Sequence, residues 1–348
     1  MGGTDAREPV RAFIGSFTSD GGRGILTADV DASTGALTVT GATDALADPS
    51  FLALAGTVLY AVSETEEGVA AAFDVTGAVP RPLGAPVAVR GAGPTHLAVA
   101  AGHVLTANYG SGSVTALPVG PDGALGPATD VARHEGSGPV ADRQSGPHAH
   151  QVLPAPGGAW ATAVDLGTDS VRIYALDARS GALRPHGETA LRPGTGPRHL
   201  AFHPDGTHAY VLNELEPTLT VCRWDATAGT LTPVAETPVV PEGATGPSYP
   251  SEVVVAPDGR FLWAAVRGDD TIAVLALDPD GEKAVLVATV PCGGRWPRDL
   301  ALDPSGRRLY AANERSGDVT WFDIDAQSGV PRRAGAIEAP AASCVVIG

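Results

Sequence analysis

Seven segments of this chain open at a proline and continue as a short apolar run: "DPSFLALAG", "GPTHLAVAAG", "GPHAHQVLPAPGG", "GPRHLAFHPDG", "YPSEVVVAPDG", "WPRDLALDPSG" and "APAASCVVIG". The prolines are Pro49, Pro94, Pro147, Pro197, Pro250, Pro297 and Pro340, separated by 45, 53, 50, 53, 47 and 43 residues. A supersecondary unit repeated at that period points to a propeller or a solenoid.

Within a unit the first run ends in a turn such as "HPDG", "APDG" or "DPSG", and a second run follows, such as "HAYVLNE" or "RFLWAAVR". That pattern is a hairpin. A third run ("TLTVCRWD", "TIAVLALD", "DVTWFDID"), a second turn ("DATAGTL", "DAQSGV") and a more polar fourth run complete four antiparallel strands. The first unit lacks its leading strand, because "VRAFIGSFT", "RGILTADVD" and "GALTVTGA" read as strands two, three and four. The tail "ASCVVIG" supplies the missing member, and its pairing beside "RAFIGSFT" closes a ring and removes open sheet edges. A solenoid needs polar caps instead of complementary ends, and no helical period is long enough for βαβ units. The expected fold is all-β: a seven-bladed propeller of four-stranded blades, forming a single domain over residues 1–348. A length of 348 residues suits one large all-β domain, and 43% hydrophobic residues supply its core.

Composition excludes several classes of function. A net charge of -16 argues against nucleic acid or an anionic membrane as a partner. Lys283 is the only lysine, so nearly every positive charge is an arginine. Cys222, Cys292 and Cys344 are odd in number and far apart, which fits buried, reduced thiols and a cytoplasmic setting. The start, "MGGTDAREPVRAF", has no apolar leader region, and no run approaches a membrane span. Gly-rich phosphate loops and a "GxSxG" elbow are absent, and Ser145 before "GPHAH" reads as a turn residue.

In an antiparallel blade, the start of the first strand and the end of the second share one face. This gathers His96 with Asn108-Tyr109; His148 and His150 with Asp165; Arg198 and His199 with Asn213-Glu214; Glu252 with Arg267; Arg298-Asp299 with Asn313-Glu314; and Ser63-Glu64 from the second blade. The "PDG" turns go to the opposite face. Turn chemistry accounts for Asn, Asp and Gly at such positions, but less well for the histidines, arginines and glutamates. A small-molecule site is therefore expected at the centre of the charged face.

These segments, with "FIGSFTS", "NYGSGSV", "PHAHQV", "VLNEL" and "PRDLALDPSGRRLYAANERSGDVTWF", resemble the seven-bladed lactonase family. That family includes propeller-type 6-phosphogluconolactonases and a fungal muconate lactonizing enzyme. The likeness covers nearly the whole chain and is most specific in blades four to seven. It implies a lactone hydrolase of the pentose phosphate route, and it places the family's proposed active-site residues on His148, Arg198, Glu214 and Arg267, with His150 competing for the histidine role. Asp299 and Glu314 depart from the Asn and Gln that relatives often carry.

Under this reading Glu214 is the first choice of base, its pKa raised by burial and opposed by Arg198. His148 is the alternative base, or the acid that protonates the leaving alkoxide. Arg198 and Arg267 offer planar forks to phosphate or carboxylate. His150, His199, Glu252 and Arg298 complete the binding surface. His148 and His150 alone do not make a zinc site, so no metal and no cofactor are expected. The partner is a small anionic lactone, the chain being a monomer or weak homo-oligomer. A muconate-type cycloisomerase and a non-catalytic binding propeller are the alternatives, which fold does not separate.

Overall fold

The computed structural model describes residues 10–348. The leader call rests in part on residues 1–9, which lie outside the described residues. Seven antiparallel sheets stand around one axis, six with four strands and one with five. Blade 1 is closed as the sequence suggests: Ala342–Ile347 pairs with Arg11–Ser16, followed by Ile25–Val30 and Leu37–Thr43. Blade 2 departs from the pattern. Its outer strand is broken into Arg81–Pro82 and Val87–Ala88, both paired with Val69–Asp74. Blades 3 to 7 begin at Pro94, Ala149, Pro197, Tyr249 and Pro297, close to the repeated prolines. Among the described residues the only helix is a single 3-10 turn, Thr18–Asp20, and no helix is long and apolar enough to cross a membrane.

The core lies between blades. Ala12, Ile14 and Val345 of blade 1 pack with Tyr310, Val319 and Trp321 of blade 7, so the joint that closes the ring is as apolar as the others. Aromatic side chains also latch neighbouring blades. Tyr60 donates to Gly123 O at 3.0 Å, Tyr210 to Gly281 O at 3.0 Å, Trp263 to Gly329 O at 2.8 Å and Tyr310 to Gly35 O at 2.9 Å. Each ring buries its area while its one polar atom finds a carbonyl in the next blade, as a buried Tyr or Trp requires. The three cysteines are free and buried, which holds their thiols well above the usual range.

Asn108, Asn213 and Asn313 close second strands and have a structural task. Their amides donate to third-strand partners: Ser113 and Thr115, Thr218 and Thr220, and Asp318 and Thr320. Asp165 is likewise occupied, accepting from the backbone N–H groups of His148, Gly167 and Thr168 and from His134 at 2.5 Å. It ties a blade end together and is fully buried.

Candidate active site

The strand pairing that leads to the axis is irregular in most blades. In blade 5 Pro197 opposes Asn213 and His199 opposes Leu212, leaving Arg198 as an extra residue. Arg298 is the extra residue in blade 7 and His150 in blade 4, while Ser251 and Glu252 interrupt blade 6. Such bulges break strict alternation and re-aim side chains. As a result Arg198 and His199, which a regular strand would send to opposite faces, are both buried near the axis, at 3% and 2% exposure.

Two layers result. The outer layer centres on Glu214. Its Oε1 accepts from Arg143 Nη2 at 2.6 Å and its Oε2 from Arg267 Nη2 at 2.7 Å. Arg198 Nε lies 3.3 Å from Oε2 as a charge contact without hydrogen-bond alignment, while Arg198 Nη1 donates to Ser251 O. Beside this cluster the half-buried His148 stacks on Tyr109, with ring centroids 4.3 Å apart. His148 Nδ1 is 2.9 Å from Tyr109 O, a carbonyl that can only accept, so Nδ1 carries a proton and donates it there, leaving Nε2 as the nitrogen available for chemistry. Arg298 is bonded to Glu314 at 3.1 Å, is 3.5 Å from Glu64 and lies over the Phe17 ring.

Residues 11–347 match the family described as "Lactonase, 7-bladed beta-propeller". The chain belongs to this lactonase family. A Bacillus subtilis (strain 168) relative named 6-phosphogluconolactonase is 33% identical over 323 residues, covering 91% of this chain and 92% of its own. The structure of the Pseudomonas aeruginosa periplasmic gluconolactonase superimposes with a TM-score of 0.91 at 27% identity, over 97% of this chain and 98% of that one. A Lactobacillus plantarum protein gives a TM-score of 0.92 at 30% identity, over 98% and 99% of the two chains.

The electrostatics of this lactonase-family site correct one expectation. Burial is the largest single influence on Glu214 and raises its pKa, but Arg267, Arg198 and Arg143 together bring it down to about 2. A carboxylate that acidic is a poor acceptor for a proton from water, because an effective base has a pKa near the working pH. The sequence reading weighed only Arg198 against burial. Arg143 is not legible from the repeat, because it sits in "ADRQSGPHAH" on the loop between blades 3 and 4, away from the strand ends that the repeat brings to one face.

The inner layer holds His96, His150, His199, Glu252 and Asp299, all at most 7% exposed. His199 Nδ1 is 2.7 Å from Glu252 Oε2, and its ring meets His96 and His150 edge-on at 5.3 and 5.1 Å. Burial first, then positive neighbours including Arg198, keeps all three imidazoles well below their ordinary pKa. The structure thus separates His148 from His150: the first reaches the open face and the second lies beneath it. His199 and Glu252 also lie beneath the outer layer. A cavity of about 420 Å³ follows the axis toward the opposite face, lined by Phe51, His96, Glu252, Asp299 and aliphatic residues such as Val254 and Leu302. Its lining includes no arginine. Among the described residues no three His, Cys, Asp or Glu side chains converge in a way that would hold a metal ion.

Proposed function

We propose that this protein hydrolyses a sugar-derived lactone, 6-phosphogluconolactone, on the face that carries Glu214. The observation that carries the reading is the pairing of three guanidiniums on one carboxylate with an imidazole alongside that is oriented through its Nδ1. His148 Nε2 takes a proton from water as the water oxygen bonds to the lactone carbonyl carbon. Arg198 and Arg267 offer donors to the oxygen on which negative charge develops, the largest stabilising effect in many acyl transfers. When the ring C–O bond breaks, His148 returns the proton to the alkoxide, giving the open hydroxy acid. Glu214 holds the arginines in place, and Arg298 contributes to the binding surface. His150, His199 and Glu252 form the polar floor and act on the substrate through the outer layer.

The net charge of -16 and the buried free thiols support a cytoplasmic setting with no nucleic-acid or membrane partner, the chain acting as a monomer or weak homo-oligomer. The test is acid release from freshly made 6-phosphogluconolactone above its spontaneous rate. No excess with pure protein rejects the reading, and turnover only of a muconate-type dicarboxylate moves the site to cycloisomerase chemistry.

A further inference from the structure

Blade 7 carries a group of residues at the rim that the hydrolytic step leaves unused. Trp296 immediately precedes Pro297 at the start of the first strand, and Arg315 follows the end of the second, so both stand on the face of Glu214. The Arg315 guanidinium carbon is 3.4 Å from the centroid of the Trp296 indole, and that of Arg267 is 5.4 Å from the same centroid. One indole therefore joins the rim arginine to an arginine that bonds Glu214. Arg295 lies alongside: its Nη2 is 3.4 Å from Arg315 O, and its backbone N–H donates to Ser316 Oγ at 2.7 Å.

Stacking rather than charge alone distinguishes this group, since exposed arginines such as Arg23, Arg90 and Arg179 also pair with no carboxylate among the described residues, whereas Arg315 lies on an indole. The chain carries -16, and Arg143, Arg198, Arg267 and Arg298 all contact carboxylates. Among the described residues Arg295 and Arg315 are exposed and pair with no carboxylate. Trp296 adopts φ +64°, a left-handed backbone unfavourable for a bulky residue, and its backbone N–H donates to Asp270 Oδ1 at 2.7 Å. Strain held in place by a hydrogen bond sets the indole at the mouth as a flat support. A guanidinium stacked on it keeps its N–H donors in plane and free for a ligand.

We propose that Arg315, supported by Trp296 and joined by Arg295, forms a subsite for a phosphate monoester, the distal group of the lactone assigned above. This rests on the lactonase reading and deepens it: the carbonyl is placed at Arg198, Arg267 and His148, and the phosphate at the blade 7 rim. A phosphate dianion accepts from two guanidiniums at once, which an uncharged sugar hydroxymethyl does not.

The test compares 6-phosphogluconolactone with unphosphorylated gluconolactone in the wild type, Arg315→Ala and Arg295→Ala. Hydrogen bonds to charged groups contribute about 1.5–3 kcal/mol, or about 10- to 150-fold. Arg315→Ala is expected to lower kcat/KM for the phosphorylated lactone by at least about tenfold, mainly through KM, with the unphosphorylated lactone changed less than about twofold. Arg295→Ala gives a smaller loss of the same kind. Equal losses on both lactones, or no loss on either, overturn the subsite. If the wild type opens neither lactone, the function fails separately, and calorimetric titration with 6-phosphogluconate and gluconate decides the subsite. Preference for the phosphorylated acid that disappears in Arg315→Ala supports it, and equal affinity overturns it.

Discussion

Arg143 Nη2 lies 2.6 Å from Glu214 Oε1, so a residue from the loop between blades 3 and 4 neutralises a carboxylate of blade 5. With Arg267 on the other oxygen and Arg198 in charge contact, Glu214 is a counter-ion to three cations. A carboxylate held this acidic is a poor base, which is why the proposed function gives the proton transfer to His148.

His148→Gln is expected to lower kcat by about 10²–10⁴-fold with a small change in KM, since it removes a base and leaves the anion-binding arginines in place. Steady-state kinetics from pH 5 to 9 check this. A variant that retains most of its kcat refutes the assignment of the base.

Glu214→Gln leaves three guanidiniums facing an uncharged amide. Removing one partner of a buried ion pair costs about 3–5 kcal/mol, and arginines that relax apart cost about 10²-fold in rate. Both losses are expected, the first by denaturant titration and the second by initial rates. The pH dependence has a defined sign. Folding lowers this pKa from 4.5 to about 2, so the wild type gains stability above pH 4.5 and loses it as pH falls toward 2, whereas the variant lacks that contribution.

Glu252 and Asp299 show the opposite sign. Burial raises Glu252 from 4.5 to about 7 against the pull of Arg198, and burial followed by Glu252 holds Asp299 well above the usual range. The folded protein therefore favours a shared proton on this pair. The associated stability is full below pH 4.5 and falls as pH rises through 7. Asp299→Asn keeps an oxygen for the Val345 N–H, now 2.7 Å from Oδ2, and removes the competing charge. Its melting temperature is expected to vary less between pH 6 and 9 than that of the wild type, and parallel curves count against the shared proton.

Truncation after Pro340 removes Ala342–Ile347, the first strand of blade 1. It exposes the edge of Arg11–Ser16 and uncovers the apolar contacts of Val345 with blade 7. Loss of cooperative melting and association in sedimentation are expected, and a sharp, monomeric melt argues against the tail as the closing strand.

The period of the seven proline-led segments, the polarity of their turns and the complementary ends were sufficient to define the ring and to say which strand ends share a face, because these depend on local alternation and chain order. Alternation also explains what remained hidden. Arg198 and His199 both reach the axis only because a bulge spends an extra residue there, and His148 and His150 part company for the same reason. The acidity of Glu214 depends on Arg143 and Arg267, which lie 71 and 53 residues away, so no local window contains it. Sequence determined the frame and the candidate residues. Tertiary structure decided their protonation and depth, because charge interactions in a partly desolvated centre depend on distances of a few ångströms that only the closed ring sets.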